Sequence, residues 1–205
     1  MNHIIINIGR QIGSGGRLIG HRLAKDLGLK FYDKELLDLA AQESGFDKKF
    51  FERNDEQKGF LKTLFYTFSS FAGESTPYAN QLSAESLFKF QSDAIRHAAE
   101  RDGCVFVGRC ADYILREHPN CINIFITADL DDRIQRISEY HHITPKEAKK
   151  RCIEGDKRRA DYYNYYTAKT WGAAQSYDIC INTSVTGIEG AVEIIKQVIQ
   201  YKTRP

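Results

Sequence analysis

The residues of greatest chemical content stand at 9–17, Gly9-Arg10-Gln11-Ile12-Gly13-Ser14-Gly15-Gly16-Arg17. A short apolar run at 4–8 leads into them, and an apolar helical pattern (Leu18, Ile19, Leu23, Leu27) follows. Strand, glycine loop and helix in that order make a phosphate cradle, because the loop's N–H groups turn inward and the helix N-terminus adds positive potential. The phosphate-loop pattern G-x-x-x-x-G-K-[ST] also asks for a lysine and a hydroxyl, and those slots here read Gly16 and Arg17. Arg17, at the helix start, is the expected replacement for the lysine, offering a bidentate fork where lysine offers a point charge. Arg10 reads as a second basic contact or as a surface residue.

Three further groups belong to the same chemistry. The apolar stretch Val105-Phe106-Val107 runs into Gly108-Arg109, which puts Arg109 at the carboxyl end of a strand, where ligands of open α/β sheets bind. An arginine there suits the phosphate of a second substrate; the competing role is an ion pair with Asp112. Asp33 ends a short strand at the same edge and suits a ribose, a base or magnesium, while also making a good N-cap. The runs Asp132-Arg133-Ile134-Gln135-Arg136, Lys149-Lys150-Arg151 and Asp156-Lys157-Arg158-Arg159-Ala160-Asp161 are either a solvated helix face or a cationic cover. Phosphoryl transfer needs such positive groups over the transferring phosphate. His141-His142 has no partner at metal spacing, so no metal site is expected, and the tyrosines at 162, 163, 165 and 166 read as a packing stripe.

Elements that position these residues follow from the alternation of apolar runs and helical patterns, which predicts a parallel sheet covered by helices. Strands are expected at 4–8, 30–32, 104–107, 122–127 and 177–181. Helices are expected at about 17–27, 34–43, 84–101, 130–140, 145–166 and 188–201. Thr144-Pro145 with Glu147 reads as a capped helix start. Residues 45–83 mix glycines and a proline with seven phenylalanines, which predicts a helical insert folding over a pocket, or an interface. At 205 residues, with 42% apolar and 27% charged side chains, one sizeable core is expected. A net charge of +2 argues against a nucleic-acid partner. No apolar run reaches the roughly 18 residues of a membrane helix, nothing resembles a signal peptide, and the five cysteines show no metal or disulfide spacing. A cytoplasmic protein is expected.

With these residues in place the chain resembles the cytidylate kinase-like family, a branch of the phosphate-loop nucleoside monophosphate kinases. The resemblance rests on Gly9 to Arg17, Phe31-Tyr32-Asp33-Lys34-Glu35-Leu36-Leu37, Val107 to Leu115, Asp156-x-x-Arg159, and Tyr177 to Ser184. It implies an α/β, three-layer phosphate-loop NTPase fold, a parallel sheet with helices on both faces. A single domain would have its core at 1–44 and 103–205, a helical acceptor-binding insert at 45–102 and a lid at 141–166. ATP and Mg2+ are implied, with Gly13, Ser14, Gly15, Gly16 and Arg17 on the donor phosphates and Asn182 and Thr183 near the adenine. CMP or another small phosphorylated acceptor would lie at Asp33, Arg109, Asp112 and Asp156. Arg17, Arg158 and Arg159 would be catalytic, with Arg151 also reaching the phosphates. Partners would be small nucleotides, without nucleic acid or membrane, and the aromatic insert would offer a surface for a homo-oligomer.

Authentic cytidylate kinases carry G-S-G-K-G-T where this chain has Gly13-Ser14-Gly15-Gly16-Arg17-Leu18, and Gly-Arg-Asp where it has Gly108-Arg109-Cys110. Two other readings are a catalytically weak nucleotide-binding module acting through partners and an NAD(P)-dependent short-chain reductase. The reductase would use Gly9-x-x-x-Gly13-x-Gly15, Asp33 and Tyr165-x-x-x-Lys169.

Overall fold

The computed structural model describes residues 3–33 and 84–202; the expected helix at 34–43 and the aromatic stretch at 45–83 lie outside them. The chain divides into two compact units, Met1–Asp33 with Ala98–Pro205, and Lys34–His97. The first unit carries the sheet, in the order β1 (Ile5–Arg10), α1 (Gly16–Leu27), β2 (Lys30–Tyr32), the end of α2 (Ala84–Arg101), β3 (Cys104–Val107), α3 (Ala111–Ile114), β4 (Cys121–Thr127), α4 (Leu130–His141), α5 (Pro145–Thr167), β5 (Ile179–Asn182) and α6 (Thr183–Lys202). Of the second unit, the described part is the remainder of α2.

All five strands run parallel, in the order β2-β3-β1-β4-β5. Their sequences are almost continuously apolar because a parallel sheet is covered on both faces. Ile6 and Ile8 of β1, Val105 and Val107 of β3, and Ile122, Ile124 and Ile126 of β4 pack with Ile19 and Leu23 of α1 and with Ala191, Val192 and Ile195 of α6. The opposite face carries Ile5, Phe106 and Phe125, all buried. There Phe106 stacks on Tyr32, and Phe125 meets Trp171 edge-on. The layers are therefore helix, sheet, helix.

All five expected strands are present, within two residues at their ends. Helix α5 starts as expected: Glu147 N–H donates to Thr144 Oγ1 at 3.3 Å, and Thr144 N–H donates to Glu147 Oε2 at 2.9 Å. Helix α6 begins at Thr183, five residues before the expected start, and its regular course is interrupted at Gly187. The short α3 was not expected; four residues are too few for a periodicity to register.

The strand order corrects the reductase reading. A dinucleotide-binding sheet of that type runs 3-2-1-4-5-6, with the first strand beside the second. Here β3 lies between β1 and β2, and Tyr165, its proposed catalytic tyrosine, is an exposed residue of α5. Among the described residues no helix is long and apolar enough to cross a membrane.

Candidate functional site

Strand β1 is the middle strand, so the loop that follows it opens at the centre of the sheet's carboxyl edge. The turn doubles back within five residues, with Gly13 and Gly15 at positive φ and Gly15 capping α1. Among the described residues, the N–H groups of Gly13, Gly15, Gly16 and Arg17 meet no hydrogen-bond acceptor, which leaves a row of donors at the start of a twelve-residue helix.

The outer side of the loop is held from three helices. Asp156 of α5 accepts from Ile12 N–H at 2.7 Å and from Arg133 Nη1 of α4 at 2.5 Å. Arg136 of α4 donates to Gly13 O at 3.2 Å and to Thr183 Oγ1 at 3.0 Å, and Thr183 donates in turn to Ser14 O at 2.9 Å. Ser14 itself is fully buried and donates to Gln11 O at 2.9 Å. Gly155 fits directly under Ile12, where a Cβ would lie 2.7 Å from Cγ1. The frame thus consumes the side chains of Ser14, Thr183 and Asp156, and leaves the N–H row for a ligand. Asn182 caps α6 by accepting from Ser184 N–H and also donates to Asp129, each at 2.9 Å.

Across the mouth four guanidinium groups gather around one carboxylate. Arg17 Nε donates to Asp33 Oδ2 at 2.6 Å, Arg10 Nη2 lies 3.8 Å from Asp33 Oδ1, and Arg159 Nη1 donates to Arg10 O at 2.7 Å. Arg109 completes the group from the end of β3. Burial pushes Arg10 down to about 9, with Arg159, Arg109 and Arg17 adding repulsion and Asp33 opposing it. Arg159 is lowered by burial too, with Asp156 and Asp33 opposing and Arg109 and Arg158 adding repulsion. A cluster of this sign, with too few carboxylates, is a place for an anion.

Arg109 is aimed by an unusual turn. Gly108, Arg109 and Cys110 stand successively at φ of 79°, 63° and 56°. A non-glycine residue in the left-handed region costs of order 1–3 kcal/mol and is retained where the surrounding structure or function demands it.

Of the other expected residues, Arg158 sits on the exposed side of α5, 4.0 Å from Glu154, while Arg151 is exposed. The cationic run is therefore divided: Arg159 turns to the loop and its neighbours to solvent. Asp112 is buried and accepts from Tyr163 hydroxyl at 2.6 Å. Burial raises its carboxyl above the usual range despite that bond. Tyr163 is hydrogen-bonded to Tyr177, whose hydroxyl lies 3.2 Å from where a Cβ of Gly9 would stand. Arg133 and Arg136, three apart on α4, hold the loop and were read in the sequence only as part of a charge run.

Comparison with known proteins agrees with this architecture. The sequence matches the cytidylate kinase-like family over residues 5–185. An uncharacterized protein from Eubacterium ventriosum ATCC 27560 has a similar crystal structure, with 30% identity, TM-score 0.72, and coverage of 98% of this chain and 100% of that one. Shikimate kinase from Bacteroides thetaiotaomicron matches at 12% identity and TM-score 0.52, covering 96% and 98%. Shikimate kinase from Acinetobacter baumannii, in complex with shikimate, matches at 12% and 0.53, covering 99% and 96%. At such identities these two show the fold. No curated protein matches the sequence.

Proposed function

Because the chain belongs to the cytidylate kinase-like family, we propose that it transfers the terminal phosphoryl group of ATP to a small phosphorylated acceptor, with CMP-like nucleoside monophosphates the first candidates. The observation that carries this reading is the four-arginine cluster around Asp33, set beside a loop whose N–H groups are open. Transfer of a phosphoryl group needs little covalent work from a protein; positioning and charge stabilisation dominate.

In this reading the N–H groups of Gly13, Gly15, Gly16 and Arg17 hold the donor phosphates. Arg109 takes the acceptor's phosphate and Asp33 orients the acceptor. Arg159, anchored on Arg10 O, faces the charge that develops during transfer, and Arg17 flanks the mouth. Arg158 joins them only through rotation of its exposed side chain. Asp156 and Thr183 serve by fixing the loop, and Asp112 by holding Tyr163.

Magnesium accompanies ATP in phosphate-loop kinases and there neutralises the phosphate oxygens. The usual loop ligand for it does not fit here: the hydroxyl slot holds Arg17, Leu18 is exposed, and Ser14 Oγ is spent on Gln11 O. Asp33 is the carboxylate at this mouth, and Arg17 already holds it.

A coupled ADP-release assay over CMP, dCMP, UMP, AMP and shikimate tests the proposal. Turnover with at least one phosphorylated acceptor is expected. ATP binding with no turnover on any of them would favour a nucleotide-binding module that acts through partners.

A further inference from the structure

Laid over residues 10–17, the pattern G-x-x-x-x-G-K-[ST] puts its first glycine at Arg10, its second at Gly15 and its lysine at Gly16. Besides Arg17 in the hydroxyl slot, the chain thus departs twice, with a long cation in a glycine slot and a glycine in the cation slot. The fold brings these two positions together. A Cβ built on Gly16 would stand 2.6 Å from Arg10 Cβ and 3.1 Å from its Cγ. Further out, a Cβ on Gly108 would collide with Arg10 Nη1 and lie 2.9 Å from Cζ. The Arg10 side chain therefore leaves β1, crosses Gly16 and ends over Gly108, between Arg109 and Asp33. Arg17 takes another course: it is 67% exposed against 19% for Arg10, and its guanidinium closes on Asp33.

We propose that Arg10 is the phosphate-binding cation of this loop, entering from the first-glycine position the space that a lysine at 16 would occupy, with Gly16 and Gly108 kept free of side chains along its path. This assignment rests on the donor-binding reading above and names the residue that replaces the lysine. It differs from the sequence expectation, which placed that role on Arg17.

The electrostatics support it. Arg10 is the cation that burial and three neighbouring arginines hold furthest from its ordinary range. Its ion pair, with Asp33 at 3.8 Å, is longer than the 2.6 Å contact that Arg17 makes to the same carboxylate. An anionic phosphate oxygen at the guanidinium would relieve both the desolvation and the repulsion.

Binding of ATP and of adenosine, measured by calorimetry without added metal, tests the assignment. Arg10→Met keeps the length of the side chain and removes its charge; ATP affinity is expected to fall by about tenfold to a hundredfold, the range for a charged hydrogen-bond partner. Adenosine affinity and the melting temperature are expected to stay near the unmutated values. Arg10→Gly is expected to lose ATP affinity similarly, and Gly16→Lys alone to be impaired by the clash with Arg10 Cβ. The double variant, Arg10→Gly with Gly16→Lys, restores the ordinary glycine and lysine of the pattern and is expected to recover most of the loss. ATP affinity unchanged in Arg10→Met, or equal losses for ATP and adenosine, would overturn the role of Arg10. A double variant no tighter than Arg10→Gly would overturn the exchange of positions. An unmutated protein that binds no ATP would overturn the donor-binding reading itself, before any variant is compared.

Discussion

At the scale of single residues the site is a set of conflicts that a ligand would resolve. Arg109 is held at φ 63° with no glycine to ease it. Replacing it with glycine removes the strain, offset in part by the backbone entropy glycine loses on folding, for a net gain of about 1 kcal/mol. Arg109→Gly is thus expected to melt a few degrees higher than the unmutated protein while losing at least about tenfold in kcat/KM for the acceptor. A melt combined with a steady-state assay checks both signs, and a lower melting temperature would show that Arg109 is held by packing. Asp33 gives the converse case, as the carboxylate among four arginines. Asp33→Asn adds net positive charge to the mouth, so ATP is expected to bind at least as tightly while turnover falls by about tenfold or more. A variant that loses both in parallel would make Asp33 a structural counter-ion only.

The elements matter through how they grip the loop. Helices α4, α5 and α6 reach it by Arg136, Asp156 and Thr183, and the central member is the Asp156–Arg133 pair, both partners nearly buried. Removing one partner of such a pair costs about 3–5 kcal/mol because it leaves a charge buried alone. Asp156→Ala is therefore expected to lower the melting temperature by roughly 6–15 °C in a chain of this length. Combining it with Arg133→Met is expected to recover part of that loss, as a thermal-shift series on the single and double variants would show. Simple additivity of the two single losses would mean that the pair is not coupled. This clasp was not legible in the sequence, although Asp156 stood out there. Its partners, the N–H of Ile12 and the side chain of Arg133, are brought to it only by the chain's return to the sheet edge. Arg10 was obscured for a similar reason, since the adjacency of positions 10 and 16 exists only once the loop is folded. The paired departure at those two positions was the available signal. By contrast, Arg109 and Asp33 could be placed because each stands within two residues of a strand end, and the end of a parallel strand is a location that local pattern can reach.

At the scale of the whole molecule the strands were legible because a doubly covered sheet leaves continuous apolar runs, whereas their order depends on pairings such as Ile5 with Cys104 and Cys121. The same double covering sets how stability responds to alkali. Burial pushes the thiols of Cys104 to about 12 and Cys121 to about 11, and raises Cys110 as well. Burial likewise raises the hydroxyls of Tyr162, Tyr163 and Tyr177. The unfolded chain releases these protons near the ordinary 9.0 of a thiol and 10.0 of a phenol, while the folded chain keeps them. The stability they contribute is complete below pH 9 and is lost as pH rises toward the folded values, at about 1.4 kcal/mol per pH unit for each group. Arg10 acts in the opposite sense: its folded value near 9 lies below 12.5, so the folded chain sheds that proton first and gains stability across the same range. Arg159, lowered by burial in the same way, acts with Arg10, so two groups oppose six and the net slope is downward. The melting temperature is expected to fall by roughly 10–20 °C between pH 8.5 and 10.5. Cys104→Ala should lower the starting value but flatten the slope, because one of the retained protons is gone. A melting temperature that held level or rose over that interval would mean that these thiols and phenols reach water in the folded protein.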